Sequence, residues 1–572
     1  MVLLFSIQSI VILLDTFFTS DFLPSLSCHA SIMLRISLSA LPNTFSRPSV
    51  LRSFSSASSC FPIPEKTQSW IDGKYHGQSG PEMPNFAPAT GSQISTVEIA
   101  SQVTIDAAVA SSQAAQPAWA ALSGAERGRI LTRAAVLIRE YNAELSVLES
   151  VDAGIPVSET EFVQVLGGAD SFEYFGGLAS NACVTGQMMD TPHAGGDADS
   201  FCYTRREPLG VCAGIGAWNY PVLVMSWKVA PALACGNTFI YKPSECTPLT
   251  ALKIAEILKE AGLPDGVFNV VVGDRTTGPM LSSHNEVKKL SFTGSTETGI
   301  RIVKDAADTL KKVTMELGGK SPLLVFEDAD IDNAVAAAMM SNWYTQGEIC
   351  SNATRVFVHK SIKGEFTKKL VARTKQLVIG DPLDPNTHVG AMIMPPDNKS
   401  GHLDRVVGFI ERAKQDPDNK LILGGNTHTI EAGKVDGRGG VGNEGCYVEP
   451  TIFECSNDNS ELVKEEVFGP VMSLLEFEDE DDAVKRANDT KWGLGAGVMT
   501  NNLARAHRIA KKFQSGNVWI NNYNLTPSEM PFGGYGMSGY GRECGTYAID
   551  SWTQIKNVYV EMGDVDSSCY PK

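Results

Sequence analysis

Short apolar runs alternate with helical segments from about residue 205 onward, and this alternation restricts the possible folds more than any other feature. Residues 211–218, 237–241, 267–272 and 288–293 each have the pattern of a buried strand. Residues 248–261 carry apolar side chains at helical spacing and end at a Gly-Leu-Pro turn. Such alternation predicts β-α-β units and a parallel sheet, which binds ligands at the carboxyl ends of its strands.

Three further segments complete the predicted organisation. A second α/β series runs from residue 322 to about 520, and its charged stretch 476–482 predicts a solvated loop or a helix start. Dense turn residues predict a long surface loop over 424–445. Residues 551–562 could form a strand that pairs in an oligomer.

The bulk composition indicates a soluble globular protein. The 572 residues have room for two to four domains, and 43% of them are hydrophobic. The formal charge of −17 argues against nucleic-acid partners and against an anionic membrane surface. The twelve cysteines form no Cys-x-x-Cys pair and no zinc-like cluster, so we expect a reducing compartment and no bound metal.

The first 60 residues differ from the rest. Residues 2–14 are apolar but too short to span a bilayer, and they lack the positive start of a secretory signal. Residues 33–60 contain three arginines, nine serines and no acid, which is typical of a mitochondrial transit peptide. We therefore predict import into the mitochondrial matrix with translation from Met33. A weak signal anchor and a tail without a role, as in a cytoplasmic protein, are the alternatives.

A thiol and a carboxylate are the strongest candidates for chemistry. Cys350 lies 34 residues after Glu316 (350 minus 316), and each stands beside small residues. A thiolate can attack a carbonyl, and a carboxylate can activate the water that releases the covalent intermediate. Taken singly, a core cysteine and a surface glutamate are the simpler interpretations.

Several other motifs fit a dinucleotide or an oxyanion. The run from Gly294 to Gly299 follows a strand and opens a helix, where a pyrophosphate could lie, although a capped turn has the same pattern. Lys242 and Glu245 could hold ribose hydroxyls and favour NAD over NADP, or they could form a surface turn. The Asn219 amide suits an oxyanion, or equally a helix cap.

Glu466 and Phe468 stand two residues apart, so an extended backbone points both side chains to the same side. They could hold a ribose and pack on a nicotinamide ring, or they could simply end a strand before a Gly-Pro turn.

These motifs together resemble the NAD(P)-dependent aldehyde dehydrogenase superfamily over residues 62–570, in the family's order and spacing. The resemblance lies in seven motifs: Trp218-Asn219-Tyr220-Pro221, Lys242-Pro243-Ser244-Glu245, Phe292-Thr293-Gly294-Ser295, Glu316-Leu317-Gly318-Gly319-Lys320, Gly347-x-x-Cys350, Glu466-x-Phe468-Gly469-Pro470 and Pro531-Phe532-Gly533-Gly534. Finer stretches, including 203–211, 380–383, 521–524 and 560–565, look like the 4-trimethylaminobutyraldehyde and betaine aldehyde dehydrogenases.

The resemblance implies a role for each matched residue. Cys350 would form a thiohemiacetal whose oxyanion is stabilised by the Asn219 side chain and the Cys350 N–H. Glu316 would activate water to hydrolyse the thioester, and Lys228 matches a position tied to proton transfer. NAD would be the cofactor, held by Ile215, Trp218, Lys242, Ser244, Glu245, Gly294, Ser295, Leu317, Glu466 and Phe468.

A trimethylammonium substrate would need aromatic walls, because it has no N–H to donate and is attracted by ring faces. Tyr220 and Trp227 are seven residues apart on one helical face, and Trp343 or Tyr344 and Phe532 could complete a cage. Ordinary apolar lining is the alternative, and it would suit a broad aldehyde-detoxifying dehydrogenase. A non-catalytic NAD-binding or structural protein would not need Cys350, Glu316 and Asn219 together.

The expected architecture is α/β and aldehyde-dehydrogenase-like. It has a Rossmann-type coenzyme domain (61–318), a catalytic α/β domain (319–520), a return segment (521–572) and a small β oligomerisation element (186–206 with 546–562). The resemblance implies a homotetramer or dimer. Two residues depart from the family pattern: Glu348 replaces a glutamine, and Gly536 stands where relatives carry a lysine. A carboxylate at 348 would raise the pKa of the nucleophile if its charge reached the sulfur.

Overall fold

A computed structural model describes residues 61–190, 199–397, 400–430 and 445–564. They fall within one compact unit that spans Ala57–Lys572. The predicted transit peptide lies outside the described residues, as do parts of the 424–445 loop and of the 186–206 hairpin.

An eight-stranded sheet forms the coenzyme-side half. Its strands stand in the spatial order Gly539–Tyr540, Lys312–Glu316, Lys289–Thr293, Val211–Ile215, Thr238–Lys242, Phe268–Val270, Ser69–Ile71 and Lys74–His76. The five strands from Lys312–Glu316 to Phe268–Val270 are parallel, and the strands at both edges are antiparallel. The parallel strands predicted from the sequence are confirmed, although the first ends at Ile215 rather than residue 218. Trp218, Asn219 and Tyr220 instead form a bend before Pro221, which suits the first helical position.

A seven-stranded sheet forms the other half. Its order is Asn419–Leu423, Thr451–Cys455, Val471–Phe477, Arg355–His359, Pro322–Val325, Gly495–Met499 and Asn517–Ile520. All neighbouring pairs are parallel except the first. The predicted second α/β series is therefore confirmed. The domain boundaries at 318 and 520 remain predictions.

Three small sheets complete the strands. One contains Lys66–Thr67, Ser92–Glu98 and Glu82–Ala87; a second contains Thr553–Val560, Phe201–Pro208 and Met188–Asp190; the third pairs Thr427–His428 with Tyr447–Val448. The terminal strand predicted over 551–562 is confirmed as Thr553–Val560, and its partner is Phe201–Pro208 of the same chain.

Helices cover the sheets. They are Gln102–Ala121, Gly124–Glu140, Asn142–Ala153, Val157–Glu159, Val165–Leu178, Ala182–Thr185, Pro221–Ala234, Leu249–Glu260, Thr277–Ser282, Thr296–Ala307, Ile331–Trp343, Lys363–Thr374, Gly401–Gln415, Glu461–Lys464, Glu480–Asn488, Leu503–Lys512 and Ala548–Trp552, with a π-helical turn at Thr160–Gln164 and 3₁₀ turns at Tyr344–Gly347 and Gly536–Ser538. The helix predicted over 248–261 is confirmed. The stretch 476–482 is a strand end followed by a helix that Asp479 caps, so the helix start is confirmed rather than the loop.

A separate hydrophobic cluster packs against each of the two sheets. One packs Phe239, Leu252 and Trp552 beside the eight-stranded sheet, and another packs Leu324, Phe357 and Leu475 beside the seven-stranded sheet. Full burial of each such side chain contributes about 1.5–3 kcal/mol. Among the described residues, no helix is long and apolar enough to cross a bilayer, and no three His, Cys, Asp or Glu side chains converge as metal ligands would.

Candidate active site

The carboxyl ends of four parallel strands bring the predicted coenzyme residues and the predicted base to one edge. Ile215 pairs with Lys242 on one side and with Phe292 on the other, and Thr293 pairs with Glu316. Because parallel strands end at the same edge, side chains far apart in sequence meet there.

The helix Thr296–Ala307 begins at this edge. Ser295 is its N-cap, and the Ser295 hydroxyl accepts the Thr298 N–H at 3.3 Å. The N–H of Gly294 donates to the Glu316 carbonyl at 3.0 Å. The N-terminus of this helix presents N–H groups and a positive dipole end, which suit a pyrophosphate.

Lys242, Ser244 and Glu245 follow the next strand. The Lys242 ammonium donates to the Pro243 carbonyl at 3.1 Å and lies 3.7 Å from the Glu245 carboxylate. Ser244 Oγ accepts the Cys246 N–H at 3.3 Å. Burial lowers the pKa of Lys242, although the charge on Glu245 opposes this. An ammonium and a carboxylate beside a strand end can together hold ribose hydroxyls.

Glu466 reaches the turn that follows Glu316. One Glu466 carboxylate oxygen accepts the Gly319 N–H at 2.8 Å, and a Cβ on Gly318 would lie 2.3 Å from the other. Burial raises the pKa of Glu466. Gly318 therefore permits the close approach of this carboxylate to the backbone.

Two aromatic residues and two aliphatic ones line the same edge. Phe468 has a left-handed backbone, with φ at 61°, and its ring meets that of Trp218 edge-on at 5.2 Å. Ile215 and Leu317 are buried in one cluster. The strand edge, the open helix end and the Glu466 carboxylate fit a bound NAD, which would supply the hydride acceptor.

Cys350 lies among apolar side chains. Burial raises the pKa of its thiol to about 12, and the charges of Glu316 and Glu466 add to the rise. The thiol is therefore neutral at rest and must lose its proton to a base before it attacks a carbonyl.

The backbone before the nucleophile is held in an uncommon conformation. Thr345 and Gln346 have φ of 48° and 53°, and a Cβ on Gly347 would lie 2.3 Å from the Gly469 carbonyl carbon. Left-handed residues other than glycine cost about 1–3 kcal/mol each and persist where surrounding contacts impose them.

The Asn219 amide is anchored beside this turn. Its Nδ2 donates to the Glu348 carbonyl at 2.8 Å. The amide is therefore bonded to the residue two positions before the nucleophile. Its second N–H is a neutral donor of the kind that an oxyanion requires.

Glu316 is buried, and neither carboxylate oxygen has a hydrogen-bond partner within the described residues. Burial raises its pKa well above the usual range, and the charge of Glu543 adds to this, whereas Lys228 and Arg542 oppose it. A carboxyl that is free of protein partners can take a proton from a water molecule near the thioester.

A buried ion pair that the sequence did not reveal adjoins Glu316. The Lys228 ammonium donates at 2.9 Å to Glu543 Oε1 and to Ser291 Oγ, and the Ser291 hydroxyl donates to the same carboxylate at 2.6 Å. This places Lys228 next to a chain of groups that can hold or move a proton. Glu543 belongs to no motif, and only the fold brings it here, so sequence reasoning missed it and Ser291.

Three of the predicted cage residues pack in one cluster with the nucleophile. Tyr220, Trp227 and Phe532 share a cluster with Cys350, and the Trp227 and Phe532 ring centroids are 5.1 Å apart. Leu223, Leu494 and Cys544 complete this cluster, and sequence reasoning missed these three.

The structure separates the two remaining candidates. Tyr344 lies near Tyr220, whose charge acts on it; burial raises the pKa of both tyrosines, and the charge of Glu159 adds to each rise. Trp343 belongs to a different core cluster, and its indole N–H donates to Thr374 Oγ1 at 3.3 Å. Trp343 is therefore wrong as a cage wall, because the preceding helix directs it into the core.

The two departures have different explanations. The Glu348 carboxylate accepts the Ile393 N–H at 3.1 Å and lies 3.3 Å from His402. The charges that raise the pKa of Cys350 come chiefly from Glu316 and Glu466 rather than from Glu348. Gly536 has φ at 55°, a left-handed conformation that glycine adopts without strain.

Comparison with known proteins shows similarity over most of the chain. The family described as "Aldehyde dehydrogenase family" matches residues 75–558. The chain is 48% identical over 503 residues to the betaine aldehyde dehydrogenase of Rhizobium etli (strain CIAT 652), covering 88% of this chain and 99% of that one.

Two solved structures carry a bound dinucleotide and share the fold. PnpE, known from Pseudomonas sp. WBC-3, in complex with nicotinamide adenine dinucleotide is 38% identical, with a TM-score of 0.82 and coverage of 88% of this chain and 99% of that chain. The NAD⁺ complex of an aldehyde dehydrogenase from Bacillus cereus is 35% identical, with a TM-score of 0.81 and coverage of 88% and 98%.

Proposed function

The chain belongs to the aldehyde dehydrogenase family and uses NAD, and on this premise we propose that its preferred substrates carry a trimethylammonium group. The proposal covers betaine aldehyde and 4-trimethylaminobutyraldehyde. Oxidation of the second would give 4-trimethylaminobutyrate, an intermediate of carnitine biosynthesis.

The aromatic cluster beside Cys350 is the observation that carries the proposal. Tyr220, Trp227 and Phe532 present rings within one cluster with the nucleophile, and Tyr344 lies close to Tyr220. A quaternary ammonium cannot donate a hydrogen bond, so ring faces are the groups best suited to attract it. The names of the Rhizobium and Agrobacterium relatives, betaine aldehyde dehydrogenases at 48% identity, support the same substrate class.

The proposed reaction begins at Cys350. Its thiol gives its proton to a water molecule as the sulfur attacks the aldehyde carbon, giving a thiohemiacetal whose oxygen accepts hydrogen bonds from the Asn219 amide and the Cys350 N–H. Bound NAD would supply the hydride acceptor, and loss of a hydride from the thiohemiacetal leaves a thioester on the sulfur. Glu316 takes a proton from water, the hydroxide attacks the thioester, and the acid leaves as the thiolate is released.

A pair of isosteric aldehydes tests the substrate. NADH formation by residues 61–572 is measured with 4-trimethylaminobutyraldehyde and with its analogue that has a neutral quaternary carbon. We expect kcat/KM to favour the cation by roughly ten-fold or more, about 1.4 kcal/mol. Equal values would instead identify a broad aldehyde dehydrogenase whose rings are only apolar lining.

Trp227→Leu sharpens this test. It removes one ring while keeping an apolar side chain, and we expect it to reduce the ten-fold preference to about two-fold or less while kcat/KM for the neutral analogue changes little. Tyr547→Leu is the matched control, because Tyr547 is an aromatic residue that is 64% exposed and outside the cluster.

We also propose mitochondrial import and a homo-oligomeric assembly. Import is supported by the composition of residues 33–60 alone, since the family match begins at residue 75. N-terminal sequencing of the native protein is the test: a mature start near residue 60 supports import, and an intact Met1 contradicts it.

A further inference from the structure

His402 lies between the coenzyme side of the site and the segment that carries the nucleophile. Its Nε2 is 2.9 Å from the Phe468 carbonyl oxygen and 3.3 Å from the Glu348 carboxylate. A carbonyl oxygen can only accept, so Nε2 carries the proton, and its single N–H is shared between the two acceptors.

Glu348 continues the connection through its main chain. Its carboxylate is held by His402 and by the Ile393 N–H, while its carbonyl accepts the Asn219 Nδ2 at 2.8 Å. Glu348 therefore contacts the proposed oxyanion donor, Asn219, through its carbonyl, and it contacts the His402 imidazole through its carboxylate. Cys350 follows two positions later.

The imidazole ring also packs within the site. It meets the Trp218 ring at 5.3 Å and 63° and the Phe468 ring at 6.3 Å and 67°. Trp218 directly precedes Asn219 in the chain. His402 thus touches the segment before the oxyanion donor by its ring and the Glu466–Phe468 segment by its N–H.

The burial of the Glu348 carboxylate indicates that His402 does more than fill space in the core. The Glu348 side chain is 1% exposed, and its carboxylate lies 3.3 Å from His402 Nε2. A buried carboxylate without a donor is costly, whereas a glutamine or an apolar residue would need no imidazole.

We propose that Glu348 and His402 are a positioning pair, which couples coenzyme binding at Glu466–Phe468 to the alignment of Asn219 and Cys350. The pair rests on the roles of Asn219 and Glu466 in the proposed function. Occupation of the coenzyme site fixes Phe468, the shared N–H of His402 fixes Glu348, and Glu348 fixes the amide of Asn219 beside the thiol. Coupling of this kind is reciprocal, so changes at the pair also alter NAD affinity.

Alkylation of Cys350 measures the coupling without any aldehyde. The rate of iodoacetamide modification of Cys350 is followed by peptide mapping, with and without saturating NAD, and the ratio of the two rates is compared between variants. We expect the wild-type ratio to differ from one by about five-fold or more in either direction.

Variants of the pair should remove that difference. His402→Phe keeps a ring against Trp218 but loses the N–H, and Glu348→Ala loses the acceptor; each should bring the ratio to within about two-fold of one. The double variant should change it no further, because the two residues act as one unit. His402→Gln restores an N–H donor and should restore most of the ratio.

A second His–carboxylate pair provides the control. His284 lies 3.4 Å from Asp106 away from the site, so His284→Phe should leave the ratio unchanged. NAD binding to each variant is checked by tryptophan fluorescence so that saturation is real. Two independent single variants keep the test decisive if one of them does not fold.

A wild-type ratio of one, or an unchanged ratio in both single variants, would overturn the proposal. The substrate proposal can fail independently of this one. Its failure would be seen in aldehyde oxidation and would leave the alkylation ratio unaffected.

Discussion

Glu316 is the buried carboxyl proposed as the base in thioester hydrolysis. Its oxygens have no hydrogen-bond partner in the described structure, which suits the role proposed for it, accepting a proton from water. We expect Glu316→Gln to lower kcat by about 10²–10⁴-fold, because hydrolysis of the thioester loses its general base. Rapid mixing should then show a burst of about one NADH per active site followed by a slow phase. A slow phase without a burst would place Glu316 before hydride transfer instead.

The pH dependence follows from the same residue. Because burial and the neighbouring Glu543 raise the pKa of Glu316, its ionised fraction grows as the pH rises through that raised value. The hydrolytic step should therefore speed up as the pH rises above the usual range of a glutamate and slow as the pH falls. Single-turnover decay of the thioester as a function of pH measures it, and a rate independent of pH would contradict the assignment of Glu316 as the base.

A tight turn between the two sheets carries the next prediction, at the scale of elements. A Cβ on Gly318 would lie 2.3 Å from the Glu466 carboxylate, so Gly318→Ala should push that side chain away from the Gly319 N–H. We expect the Kd for NAD to rise about ten-fold, while the enzyme stays folded. Gly364→Ala is a suitable control, since a Cβ there meets nothing within 4 Å. Equal NAD affinity in both variants would show that Glu466 does not contribute to coenzyme binding.

The helix Asn142–Ala153 carries a buried acid that links stability to pH. Burial raises the pKa of Glu149 from 4.5 to about 8, and Asp152 adds to the rise. The folded state binds more protons than the unfolded state between these values, so the Glu149 contribution is complete below pH 4.5 and is lost as the pH rises to about 8. Glu149→Gln should therefore reduce the fall in apparent Tm between pH 6 and pH 9 by on the order of 1–3 °C. Glu140→Gln, at an exposed position, should leave that fall unchanged.

Sequence reasoning succeeded where a local pattern determines the structure. The parallel strands and the helix Leu249–Glu260 follow from hydrophobic spacing. It failed where only tertiary contacts decide. Glu543 and Cys544 belong to no motif, and Trp343 looks like Tyr344 in sequence although consecutive side chains point in different directions. Resemblance to the family motifs predicted the residues that meet at the site better than hydrophobic spacing did.

At the scale of the whole molecule, an apolar strand face predicts assembly. Ile555 and Tyr559 are 62% and 45% exposed, and their spacing places them on one face of the strand Thr553–Val560. Exposed apolar residues on one sheet face indicate an interaction surface. Ile555→Lys combined with Tyr559→Lys should shift the protein from oligomer to a smaller species in light scattering. A wild-type monomer would contradict the oligomer proposal outright.

The partnership of Lys228 with Glu543 also bears on how the enzyme is made. The two residues are 315 positions apart, and the strand Gly539–Tyr540 adds to the edge of the coenzyme-side sheet only when that late segment is present. During synthesis, domains tend to fold as they leave the ribosome. A nascent chain that already contains Cys350 still lacks the carboxylate beside Lys228 and the ring of Phe532, so a stalled or truncated product would carry the nucleophile without a finished site.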